Sequence, residues 1–161
     1  MKSQLLITAT AASLLASAAP AADYTSTVMT RDLRVPATLA WQRIGGFCTL
    51  EKFIPVTCTY KSGTGGVGTV RAMSMKGSAG GEEVMIAQTS RSYTYAMRNS
   101  PLFYHGTMAV EPVGPRTSRL IYTFVWDQET LSPEDRAKDK AFREKIFMPA
   151  LDKMKAVAEG K

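Results

Sequence analysis

From Thr57 to Asp127 apolar and polar residues alternate with a period of two, and that run constrains the fold more than any other feature. VGTVRAMSM, EEVMIAQT, RSYTYAMR, LFYHGTMAVEP and SRLIYTFVWD each place every second side chain on one face, as half-buried strands do. The separators SGTGG, KGSAGG, NSP and PVGPR carry the glycine, proline and asparagine that tight turns require. Strands joined by such short turns pair with their sequence neighbours, so the run reads as an antiparallel meander. Neither glycine-rich separator fits a phosphate-binding loop, since no G-x-x-x-x-G-K-[ST] and no strand-to-helix G-x-G-x-x-G is present.

Helical patterns flank the meander on both sides. Tyr24 to Arg34 reads as a first strand, followed by VPATLAWQRIGGF, in which Pro36 opens a helix and Gly45-Gly46 end it. Thr49 to Phe53 reads as a second short helix closed by Pro55. After the meander, Ser132, Pro133, Glu134 and Asp135 form a strong helix start. Phe142, Ile146, Phe147, Leu151, Met154 and Val157 would then share one wide apolar face, with a kink expected at Pro149. An antiparallel sheet with helices on one face is an α+β layer architecture. The expected form is a curved sheet of about six to seven strands, two short lid helices and one long carboxy-terminal helix.

Residues 1–22 read as a cleaved signal peptide: Lys2, an uncharged Ala- and Leu-rich run, and small residues at Ala19-Pro20-Ala21. Residues 23–161 then form a single domain exported to the periplasm or beyond, with no segment suited to stable membrane insertion. The formal charge is +6, of which Lys2 supplies one, but the basic residues are scattered. No basic run interleaved with aromatics points to nucleic acid. In an oxidising compartment two cysteines ten positions apart favour a Cys48–Cys58 disulfide over two free thiols. Structural zinc usually takes four Cys or His ligands, and here Cys48, Cys58 and His105 are the most on offer. No metal or other cofactor is expected.

Alternation groups Val67, Thr69, Arg71, Met73 and Met75 on one face, and likewise Tyr93, Tyr95 and Met97. Leu102, Tyr104 and Met108 share another face, as do Leu120, Tyr122, Phe124 and Trp126. Arg71 among aromatics would need a partner, because an unpaired buried charge is costly. Two readings stay open: an anchor for a ligand oxyanion, or a salt bridge to Glu82 or Glu83. His105 falls opposite Tyr104, on the outer side, and without it no Ser-His-Asp set can be built. Glu82 and Glu83, being adjacent, cannot both face inward.

VPATLAWQRIGGF followed by L-x-x-F-x-P resembles the start of the polyketide cyclase/dehydrase group of the SRPBCC, or START-like, superfamily. Trp41, Phe47 and Pro55 match its pattern, while Phe53 and Ile54 replace a Trp and a His. Gly68 with Arg71, Tyr93, Tyr95, Pro101 with Tyr104, and Tyr122 with Trp126 extend the resemblance over nearly the whole of residues 23–161. It implies a helix-grip fold with a cavity between sheet, lid and long helix. Members bind lipids, sterols, hormones or polyketides, some catalyse cyclisation or dehydration, and a secreted relative accompanies methanol dehydrogenase. The leading expectation is an exported protein holding a small hydrophobic or amphipathic ligand without chemistry. Phe53, Arg71, Met73, Tyr93, Tyr95, Tyr104, Tyr122, Trp126, Phe142 and Ile146 are its expected lining. The alternatives are a cyclase- or dehydratase-type enzyme using Arg71 and a tyrosine such as Tyr104, or an accessory to a periplasmic enzyme.

Overall fold

The computed structural model describes residues 23–75 and 78–161, so the signal-peptide expectation for 1–22 lies outside the described residues. Seven strands form a single antiparallel sheet in the order β1-β7-β6-β5-β4-β3-β2. The strands are β1 (Tyr24–Leu33), β2 (Thr57–Ser62), β3 (Val70–Met75), β4 (Ser78–Thr89), β5 (Ser92–Met97), β6 (His105–Gly114) and β7 (Thr117–Asp127). The helices are α1 (Ala37–Ile44) and α2 (Pro133–Ala158). From β2 to β7 each strand pairs with the next, which is the meander that the alternation demands.

β1 closes the sheet from the far side, pairing with β7 from Tyr24↔Asp127 to Leu33↔Ser118. The chain must then travel from one sheet edge to the other before β2 begins. α1 and the turn after it make that journey across the inner face. The second lid helix is shorter and tighter than expected: Thr49–Lys52 is a 3₁₀ turn with Phe53 as its carboxy-terminal cap. Four residues closed by Pro55 leave no room for a full α-helical ladder. Register shifts at Met73/Ser74 and Met85/Ala87 interrupt the pairing of β3 and β4, and such bulges increase local twist.

α2 starts where the capping residues place it, with the Ser132 hydroxyl accepting from the Asp135 amide. Pro149 lies inside the helix without ending it. Its missing N–H leaves the Lys145 carbonyl without a helical donor. The expected apolar face needs correction. Ala150, Leu151, Met154 and Ala158 are the buried residues, whereas Phe142 is 62% exposed and Val157 37%. Beneath α2, aromatic rings fill the middle of the fold. Phe124 lies 4.4 Å from Phe147 and 5.0 Å from Tyr122, and Phe47 lies 5.3 Å from Tyr93, centre to centre. The central room expected between sheet and helix is therefore occupied by side chains.

The Cys48–Cys58 disulfide is formed, with Cα atoms 5.4 Å apart. It ties the residue before the 3₁₀ turn to the second residue of β2. Among the described residues no helix is long and apolar enough to cross a membrane.

Candidate functional site

Arg71 projects from β3 into the aromatic interior and is wholly buried. Its Nε donates to Glu83 Oε2 at 2.7 Å, and its Nη2 lies 2.6 Å from the same oxygen, outside hydrogen-bonding angles. Nη1 donates to the Phe47 carbonyl. The guanidinium carbon sits 4.0 Å from the centre of the Phe47 ring and 4.8 Å from that of Tyr95. Of the two readings open for Arg71, the internal salt bridge is the one formed. The cross-strand register Arg71↔Glu83 explains the choice, since Glu82 points outward and pairs with Arg98 at 3.1 Å.

Burial alone would push Arg71 toward its neutral form, but Glu83 and the surrounding tyrosines outweigh it and keep the guanidinium charged. Burial raises the Glu83 carboxyl above its ordinary value, against the pull of Arg71. Burial likewise raises Tyr93, Tyr95, Tyr104 and Tyr122 above the usual phenol value. These hydroxyls stay protonated at neutral pH, so they can donate hydrogen bonds but do not serve as bases.

Tyr95 and Tyr122 join hydroxyls at 3.1 Å, and Tyr93 donates to the Met108 sulfur at 3.4 Å. The ring of Tyr95 lies over Gly106, its direct partner on β6. A Cβ at Gly106 would stand 2.3 Å from that ring, so glycine is required there for the aromatic layer to close.

What remains open is a side cleft of about 200 Å³ between the lid, strands β3–β5 and α2. Leu50, Ile54 and Val56 form its lid wall, and Met73, Met75 and Met97 rise from the strands. Ile146 and Phe147 close it from α2, and the polar side chains on it come from Ser74, Glu83, Tyr95, Tyr104 and Arg143. Arg143 is fixed twice over. It makes a bidentate pair with Asp139 at 3.0 and 3.2 Å, and its guanidinium lies 4.8 Å from the Tyr104 ring and 4.6 Å from the Trp126 ring.

Of the expected lining, Met73, Tyr95, Tyr104 and Ile146 meet in this cleft. Arg71, Tyr93, Tyr122, Trp126 and Phe53 are buried behind it, in the core. Among the described residues, the Trp126 Nε1–H has no partner there. Phe142 points to solvent, one helical turn before Ile146. Leu50, Ile54, Val56, Glu83, Arg143 and Phe147 also line it and were not expected to. The lid segment around Pro55 carried a usable signal for Ile54 and Val56, which flank the proline. Arg143 had none, because it reads as part of a charged helix face.

His105 lies on the outer side as alternation predicts, its Nδ1 2.7 Å from the Phe103 carbonyl oxygen. Among the described residues no cluster of His, Cys, Asp and Glu could hold a metal ion. A wider surface cleft of about 340 Å³ lies at the β1–β7 end, lined by Asp32, Arg34, Arg119 and Lys155 among others. Its charges are largely spent on one another, with Arg119 pairing Asp32 at 2.7 Å, and none of the aromatic interior reaches it.

The fold is shared with proteins of known structure. An aromatase/cyclase from Streptomyces sp. R1128 superposes with a TM-score of 0.68 at 15% identity, over 84% of this chain and 94% of its own. Truncated norcoclaurine synthase from Thalictrum flavum gives 0.66 at 13%, over 90% and 99%. The protein XoxI from Bacillus cereus gives 0.64 at 22%, over 83% and 93%. A search of curated proteins returns no match. The family model for "Polyketide cyclase / dehydrase and lipid transport" matches residues 24–159, every strand and helix described above. With that match and a helix-grip sheet around α2, the chain belongs to the polyketide cyclase/dehydrase and lipid transport family.

Proposed function

We propose that this protein is an exported binding protein that holds a small hydrophobic or amphipathic molecule in the side cleft, without transforming it. The single observation that carries the reading is the cleft itself: an apolar lining of Leu, Ile, Val, Met and Phe with a few polar groups among them, the usual make-up of a ligand site. Its volume is below the ~300 Å³ at which drug-sized sites begin, so the guest is small. The enzymatic alternative is weaker, because Arg71 is committed to Glu83 and Phe47 and does not line the cleft. Export is supported by the disulfide and by the composition of residues 1–22.

Native mass spectrometry of the protein purified from its own cell envelope tests the proposal. A mature chain beginning near Asp23, with a small molecule that leaves on gentle activation, is the expected result. A protein partner retained in place of any small molecule would overturn binding in favour of an accessory role.

A further inference from the structure

Among the described residues, two polar groups on the cleft have hydrogen-bonding capacity left over. Both contacts from Arg71 fall on Glu83 Oε2. Oε1 accepts no hydrogen bond among the described residues, yet it is not among the atoms sealed from solvent without a partner. Glu83 as a residue is only 7% exposed, and it lines the cleft. The hydroxyl of Tyr104, 6% exposed, also lines the cleft: Tyr95 and Arg143 stand beside it, but among the described residues none makes a well-aligned hydrogen bond to it. Buried polar groups are normally paired, and a carboxylate oxygen without a donor is the more costly of the two to leave so.

The charge balance narrows what could satisfy them. Arg71 offsets Glu83, and Asp139 offsets Arg143. An ammonium entering the cleft would meet two pairs that are already neutral, and would lose its hydration for little return. An added carboxylate would face Glu83 directly. A hydroxyl donates one hydrogen bond without carrying charge. The cleft holds roughly seven water volumes at ~30 Å³ each, enough for a body of one ring.

We infer that the guest is a neutral alcohol or phenol with a single-ring apolar body, its hydroxyl donating to Glu83 Oε1 and accepting from the Tyr104 hydroxyl. The inference rests on the reading of the cleft as a binding site and adds the ligand class to it. It makes Glu83 and Tyr104 the specificity-determining residues, with the apolar wall of Met73, Met97, Ile146 and Phe147 indifferent to the polar group.

Isothermal titration of the disulfide-intact protein with p-cresol, toluene and benzylamine separates the outcomes. p-Cresol is expected to bind about tenfold or more tightly than toluene, as a hydrogen bond to a charged acceptor allows, and more tightly than benzylamine. Tyr104→Phe should narrow the p-cresol preference while leaving toluene unchanged, and Glu83→Gln should narrow it further if the variant folds. Equal affinity for p-cresol and toluene would overturn the hydroxyl assignment and leave cleft binding standing. Tightest binding of benzylamine would replace the neutral donor with a cation. Absence of binding by all three at millimolar concentration would overturn both the assignment and the proposed function.

Discussion

The two ends of α2 meet the sheet in different ways. After Pro149, Ala150, Leu151, Met154 and Ala158 are each no more than 1% exposed, packed on β1 and α1. Before Pro149, no residue of the helix is buried, and Arg143, Ile146 and Phe147 stand at the wall of a cleft. Small side chains let helix and sheet backbones approach closely at one end. At the other end the helix is held off by the rings of Phe147, Tyr122 and Phe124, and the gap stays open on the side of β3–β5. Closeness at one end and a small opening at the other thus come from one helix that cannot be near the sheet everywhere.

The largest expected effect comes from the charge pair buried behind the open end. Arg71→Met leaves the Glu83 carboxylate buried without its partner and should cost ~3–5 kcal/mol in urea unfolding, while the Arg71→Met/Glu83→Gln pair should recover much of the loss. A single variant no less stable than the native chain would show that the pair does not seal the interior. At the closed end, Leu151→Ala should cost ~3 kcal/mol, because the site is too tightly packed to collapse onto the lost methyls. The matching change before Pro149, Phe142→Ala, should stay within ~0.5 kcal/mol. Similar losses from the two would erase the distinction between the ends.

Opening the Cys48–Cys58 loop sharpens the comparison from the lid side. Its short loop predicts a loss of ~2.5 kcal/mol on the chain-entropy account. A melting temperature that is unchanged in reductant would mean that the lid needs no tether. The smallest effect is expected at Glu159, beyond the closed end. Hydrogen bonding from Lys155, then the Arg34 amide and Lys161, holds its carboxyl down at about 2. A folded value below the unfolded one, ~4.3, contributes stability that is complete above the unfolded value and is lost as pH falls toward about 2. Glu159→Gln should therefore lower stability modestly at neutral pH, leave it unchanged below about pH 2, and flatten the acid limb of the stability curve between those two values. An acid limb identical to that of the native chain would assign it to other carboxylates.

Much of the site could be read one residue at a time, but not as a set. Alternation allowed only one of Glu82 and Glu83 to face inward and placed His105 on the outer side; register then decided that Arg71 meets Glu83. Tyr95 and Tyr104 reach the cleft while Tyr93 and Tyr122, equally inward, are core. Helical spacing put Phe142 beside Ile146 as lining, and the structure separates them, because α2 turns Phe142 away from the sheet.

Local patterns sufficed for the meander, the start of α2 at Ser132 and the pairing of two cysteines, since each depends on residues near in sequence, whereas the place of β1 beside β7 does not. Which inward side chains fill space and which border it was decided only by the assembled fold. A cleft is the small difference between the volume enclosed by helix, lid and sheet and the volume of the side chains within it. That enclosed volume is set by how far α2 stands from β3–β5, a distance fixed by contacts such as those of Phe147 with Tyr122 and Phe124, on elements well separated in the chain.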